Sequence, residues 1–177
     1  MNSEIERYLT SIVERFTTTE FIIVFVAYLF AVGIGLLKGQ RQALYMLAIG
    51  YCLLILYVTV FSRPTREFSQ YRIIPFYSYI IIANGDKLMF IQILLNVILF
   101  VPMGFLMKST FCKWNWKCIV LSGTLLSFTI EFLQLVFHKG MTEVDDVIHN
   151  TIGTFVGYSI YVIITRLLFS RSTPNNN

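Results

Sequence analysis

Five apolar stretches, at residues 21–37, 43–61, 88–107, 118–137 and 147–169, occupy most of this 177-residue chain. Each falls close to the range of about 17 to 25 residues that a helix needs to cross a bilayer. Backbone N–H and C=O groups in hydrocarbon have no water to bond, so a spanning segment must be a helix or part of a closed barrel. Barrel strands alternate apolar and polar residues over short segments, whereas these stretches run apolar without alternation. The expected fold class is therefore all-α, an integral membrane bundle of about five transmembrane helices. Composition agrees: 56% hydrophobic and 14% charged residues depart from the roughly half apolar and one quarter charged usage of soluble domains.

The segments outside the spans complete the domain organisation. Residues 1–20 place Ile5, Leu9, Ile12, Val13 and Phe16 at helical spacing among charged residues, the pattern of an amphipathic helix lying on a membrane surface. A solvated helix packed on the loops fits the same pattern. Four Glu precede the first span and no small-residue cleavage site follows it, so it is expected to be retained rather than removed as a signal peptide. Residues 21–169 form a single transmembrane domain, and the polar tail 170–177 is expected to be disordered.

Five spans sort the charges onto two faces. One face holds the N-terminus and the loops 62–87 and 138–146; the other holds the loops 38–42 and 108–117 and the C-terminal tail. Lysines and arginines tie at seven on each face, but nine of the ten acids lie on the first and none on the second, the tenth being Glu131 inside a span. The dense Lys and Arg in the short loops of the second face place it in the cytoplasm by the positive-inside rule. The N-terminus and the acidic turn are then expected outside the cell. Scattered over span ends, the basic residues that give the net charge of +4 are explained by topology and not by nucleic-acid binding. Cys52, Cys112 and Cys118 have neither metal-site nor disulfide-framework spacing, and all three are expected to be reduced packing residues. No metal and no cofactor is expected.

Two regions carry the polar chemistry. The loop 62–87 is the only long connection; it holds Arg63, Arg66 and Arg72 and then an aromatic, β-branched run, and is expected to be interfacial or re-entrant over the acidic turn. On the fourth span Ser127, Glu131, Gln134 and His138 share a face; on the fifth, Asp146, Asn150 and Gly153 do, beside Asp145 and His149. An acid inside a span costs a few kcal/mol and normally faces the protein interior or a wet cavity. Each residue also has a structural reading. Glu131 can be a buried or arginine-paired acid, Gln134 an interhelical hydrogen-bond partner, and Asp145 the end of a capping box begun by Thr142. A metal site from Glu131, Asp146 and His149 lacks any recognised ligand spacing. Gly153 and Gly157 make a GxxxG pair expected to pack on the fourth span. In the third span, Gln92 and Asn96 lie one turn apart, and Pro102 to Gly104 is expected to loosen the helix.

RIIPF at 72–76, NVILFVPMGFLM at 96–107, IEFLQLVF at 130–137 and TEVDDVIHNTIGTFVGY at 142–158 together resemble the VanZ-like family. The resemblance covers about residues 57–169. It singles out Arg72, Pro75, Phe76, Asn96, Pro102, Gly104, Glu131, Gln134, Asp146, Asn150 and Gly153. It implies a multi-pass membrane protein that lowers susceptibility to lipid-anchored glycopeptides of the teicoplanin class. The expected pocket opens to the outer leaflet and is built from Glu131, Asp146, Asn150, Asn96 and Arg72, with Gln134, Asp145 and His149 as further ligand-binding residues. Its partner would be a membrane lipid, a lipid-linked cell-wall precursor or the lipoglycopeptide itself. An alternative is a membrane-embedded hydrolase or transferase in which Glu131 and Asp146 are the catalytic acid and base. A third is a scaffold or transporter-like protein in which the polar seam serves helix packing alone.

Overall fold

The structure is a computed structural model that describes residues 41–170 continuously, together with Glu4, Ile5, Arg7, Thr10 and Gly39. The expected span 21–37, most of the N-terminal segment 1–20 and residues 171–177 of the tail lie outside the described residues. Helix α1 (Arg41–Leu56) runs directly into a π-helical turn (Tyr57–Phe61). Then follow β1 (Gln70–Arg72), the short α2 (Tyr77–Ala83), α3 (Lys87–Thr110), α4 (Trp116–Val136), β2 (Met141–Glu143) and α5 (Val144–Ser170). Among the described residues four helical segments are long and apolar enough to cross a membrane: Arg41–Phe61, Lys87–Thr110, Trp116–Val136 and Val144–Leu168. The chain folds as an all-α bundle of membrane helices, with a small two-stranded patch at one end.

Local chemistry starts the helices. The Asp86 side chain accepts from the backbone N–H groups of Leu88 and Met89 at 2.8 and 3.2 Å, and Asn115 accepts from that of Cys118 at 3.0 Å. These are side-chain N-caps, which satisfy donors that the first helical turn leaves open. Helix α3 runs through Pro102 to Thr110 without a break, so the loosening expected at 102–104 does not occur. The reason is packing: Gly104 has no side chain, and the backbone of Thr154 from α5 lies against it.

The same economy of side chains fixes the partner of the GxxxG pair. A Cβ at Gly153 would meet the backbone of Val97, and one at Gly157 would fall 2.9 Å from the backbone nitrogen of Phe105. The partner is thus α3 and not, as expected, α4. Helix α4 reaches α5 through a different glycine, Gly123, which accommodates the side chain of Thr154. A GxxxG pair announces close backbone approach but does not name the helix that approaches.

Around this seam Ile55, Val60, Phe100, Met103 and Ile130 form the buried core. The π-helical turn is held to α4 by Gln134, whose Nε2 donates to the Thr59 carbonyl at 2.9 Å. The wider turn offsets the i to i−4 ladder and leaves carbonyls for other donors. Cys52 packs against Met103 with sulfurs 3.7 Å apart. Cys112 and Cys118 are exposed instead of packed, because the loop and first turn of α4 that carry them lie at the rim of the bundle.

Candidate functional site

The ends of α1 and α4 and the starts of α3 and α5 meet at one end of the bundle, and there the loop 62–86 folds over the turn 137–143. Strands β1 and β2 pair in parallel, with Gln70 opposite Met141, Tyr71 opposite Thr142 and Arg72 opposite Glu143. An antiparallel bridge joins Thr65 to Lys139, and the Arg66 N–H donates to the His138 carbonyl at 2.9 Å. Lys139 Nζ donates to the Arg63 carbonyl at 2.9 Å, and Ser69 Oγ to the Leu135 carbonyl at 2.8 Å. Ser69 also meets His138, which sits at φ 54° in the turn. The long loop is therefore an ordered cover, clasped to the acidic turn along its length.

Three acids hold this cover, each in its own way. Arg72 pairs with Glu143 at 3.2 Å and lies 5.0 Å from the centre of the Tyr77 ring. Burial pushes the Glu143 carboxyl above the ordinary glutamate range, and the Arg72 guanidinium opposes the shift. Glu131 Oε2 accepts from the Glu143 N–H at 2.8 Å, so a carboxylate within α4 anchors the strand that follows it. Asp145 accepts from the N–H groups of Phe76 and Ser78 at 2.5 and 2.8 Å.

The last contact corrects the capping-box expectation. Thr142 lies in β2, and its hydroxyl donates to the Glu131 carbonyl at 3.3 Å, so it does not open α5. Asp145 caps a helix, but that helix is α2. Phe76, at the N-cap of α2, has φ 64° and no side-chain cap of its own. The carboxylate from α5 supplies it across the fold.

Between the cover and the helix ends lies a cleft of about 320 Å³. Arg63, Arg66 and Arg72 line it from the cover, Met89, Gln92 and Asn96 from α3, and Gly140, Glu143 and Asp146 from the turn and α5. The Asn96 side chain hydrogen-bonds the Asp146 carboxyl. Arg72, Asn96 and Asp146, expected to converge, do share this cleft. Glu131 does not line it; it stands behind, with Asp146, Arg63 and Glu143 as its charged neighbours. The other expected residues point elsewhere: Asn150 donates to Ser127 Oγ at 2.8 Å, Gln134 to Thr59, and His149 Nε2 meets the Tyr79 hydroxyl at 3.1 Å under α2. Among the described residues, no group of three or more His, Cys, Asp or Glu could hold a metal ion.

The family model described as VanZ/LLP1 matches residues 48–165, two thirds of the chain. The chain belongs to the VanZ/LLP1 family. It is also similar to Protein VanZ of Enterococcus faecium, 35% identical over 79 residues. That match covers 45% of this chain and 47% of the relative, so the chain spans about half the length of the curated relative it matches. No solved structure matches the chain significantly. In this VanZ-family chain the matched residues include the cover, the cleft and all but the ends of the four described spans.

Arg63, Arg66, Gln92 and Glu143 complete the cleft, and they were not among the residues expected to bind a ligand. Their signals in the sequence were modest. The two arginines flank Pro64 in the one long loop, and Gln92 stands a turn before Asn96. Glu143 gave no sign beyond its place beside the two aspartates.

Proposed function

We propose that this VanZ-family protein lowers susceptibility to lipid-anchored glycopeptides of the teicoplanin class by holding or altering a membrane-anchored ligand in the cleft. The observation that carries the reading is the cleft itself. It lies at the end of the bundle where α1 and α4 finish and α3 and α5 begin, with arginines on the cover side and Asp146 on the helix side. Size narrows the occupant. About 320 Å³ equals roughly ten water volumes at about 30 Å³ each. An open cleft of this size takes a phosphate or sugar-sized headgroup whole, and of a glycopeptide only a part. The ligand is accordingly a lipid or lipid-linked wall precursor, which the acylated antibiotic meets in the same leaflet. Deleting the gene should raise sensitivity to teicoplanin more than to vancomycin, and restoring the intact gene should reverse this. Equal changes for the two antibiotics, or no change, would remove the support.

The orientation that goes with this reading puts the cleft outside the cell. At the opposite end, Arg41, Lys108, Lys113, Lys117 and Arg166 stand without an acid among the described residues. Native Cys112 is exposed at that end. A membrane-impermeant maleimide is expected to leave Cys112 unlabelled in intact cells and to label it once the membrane is opened. Labelling from outside would invert the topology.

A further inference from the structure

The three arginines of the cleft are not equivalent. Arg72 is committed to Glu143 and to the face of Tyr77, and so serves the β1–β2 clasp. Arg66 is exposed and turned to the Gln70 side-chain carbonyl on its own loop. Arg63 is half-buried and lines the cleft, yet among the described residues its guanidinium donates no hydrogen bond and makes no ion pair. Its charge is met only through space, by Glu131, Glu143 and Asp146. A guanidinium carries five N–H donors in a fixed fork. Leaving them without acceptors at a partly buried site is costly unless something else takes them up.

The backbone beneath has been cleared to seat this side chain. Gly140, at φ 76°, lies against it, and a Cβ there would come 2.7 Å from Arg63 Nη1 and 2.9 Å from Cδ. The opposite wall offers a different chemistry. Asp146 is an acceptor, braced by Asn96, while Gln92 and Asn96 make the α3 side neutral. Arg66, Arg72 and Glu143 are the remaining charges on the lining, with Glu131 behind it. A small group that spans the two walls and meets the ionised form of Asp146 presents acceptor oxygens to Arg63 and an O–H donor to Asp146. At neutral pH a carboxylate has only acceptors. A phosphate monoester, whose second pKa is about 6, exists partly as a monoanion with both.

We propose that Arg63 is the ligand-contacting cation of the cleft, and that it takes two oxygens of a phosphate monoester whose P–OH donates to Asp146. The assignment rests on the cleft being the functional site and names the class of ligand that it binds. Either a lipid-borne phosphate or free phosphate satisfies the chemistry.

The test uses the full chain in dodecyl maltoside micelles and calorimetric titration with farnesyl phosphate, farnesoic acid and inorganic phosphate. Farnesyl phosphate should bind about tenfold or more tightly than farnesoic acid, and Arg63→Gln should erase about the same factor while the melting temperature holds. Arg63→Lys keeps the charge and stem but loses the fork, and serves should the glutamine variant fail to fold; it too should bind the phosphate several-fold more weakly. Inorganic phosphate binding as tightly as the farnesyl ester would identify free phosphate as the source, and much weaker binding a lipid. Equal affinity for farnesoic acid, or farnesyl phosphate binding that is unchanged in both arginine variants, would overturn the assignment. The two readings fail separately. Phosphate bound as expected with no teicoplanin phenotype on deletion sinks the resistance reading, whereas a phenotype lost in Arg63→Gln without a change in phosphate binding sinks this one.

Discussion

Replacing Gly157 with leucine is expected to leave almost no folded protein in the membrane. At this position α3 and α5 touch backbone to backbone: an added Cβ would lie 2.9 Å from both the nitrogen of Phe105 and the carbonyl carbon of Val101. Neither atom belongs to a flexible side chain that could turn away. The rest of the seam is equally close, with Gly153 on Val97 and Gly104 on Thr154, so relief at one point means separating the helices along their length. In lipid that separation gains nothing, because helix association depends on tight packing and not on escape from water. Overpacking a well-filled interface costs about 1–3 kcal/mol or more even where side chains can move, and total stabilities are only about 5–15 kcal/mol. Yield of monodisperse protein after detergent extraction measures the outcome, with Ile152→Leu on the exposed side of α5 as control. Normal yield accompanied by a lost oligomer would mean that the glycines face a second copy and that the seam is misplaced.

The long helices were legible because hydropathy over twenty residues is a strong signal and every backbone group must be satisfied within the segment. The helices α1, α3, α4 and α5 begin one to three residues before the apolar runs do, since residues such as Arg41, Lys87, Trp116 and Lys117 join the first turns. What the sequence could not disclose is pairing. Strands of three residues are too short for alternation to be read, and the register of Gln70 with Met141 joins segments remote in the chain. Capping rules are local, so they point from Thr142 to Asp145 and miss a carboxylate that caps a helix 67 to 69 residues away. Arg63 was invisible for a related reason. A loop arginine has no periodicity, and Arg63 is set apart from Arg66 and Arg72 only by its surroundings in the fold: Gly140 beneath it, and partners for the other two arginines that it does not share.

Adjacent aspartates with opposite duties give the second large effect. Asp145→Asn is expected to lower stability by about 2 kcal/mol or more, whereas Asp146→Asn should leave stability nearly unchanged and abolish the teicoplanin phenotype. Asp145 is almost fully buried, and each of its oxygens accepts a separate backbone N–H, from Phe76 and from Ser78. Hydrogen bonds to a charged group contribute about 1.5–3 kcal/mol each, and an amide offers one acceptor oxygen in place of two. The loss falls where it does most harm, because Phe76 holds a left-handed conformation at φ 64° that a side chain of its size enters only under constraint. The α2 end of the cover should come loose first. Asp146 bears no comparable backbone load; its carboxyl lies on the cleft wall with Asn96 as side-chain partner, and an asparagine there keeps the shape and one hydrogen bond while removing the charge. Thermal unfolding of both purified variants, set beside antibiotic susceptibility of cells carrying them at equal protein level, separates the two duties. Should Asp145→Asn melt like the wild type, or Asp146→Asn retain full protection, the division between a carboxylate that fastens the cover and one that faces the ligand would have to be abandoned.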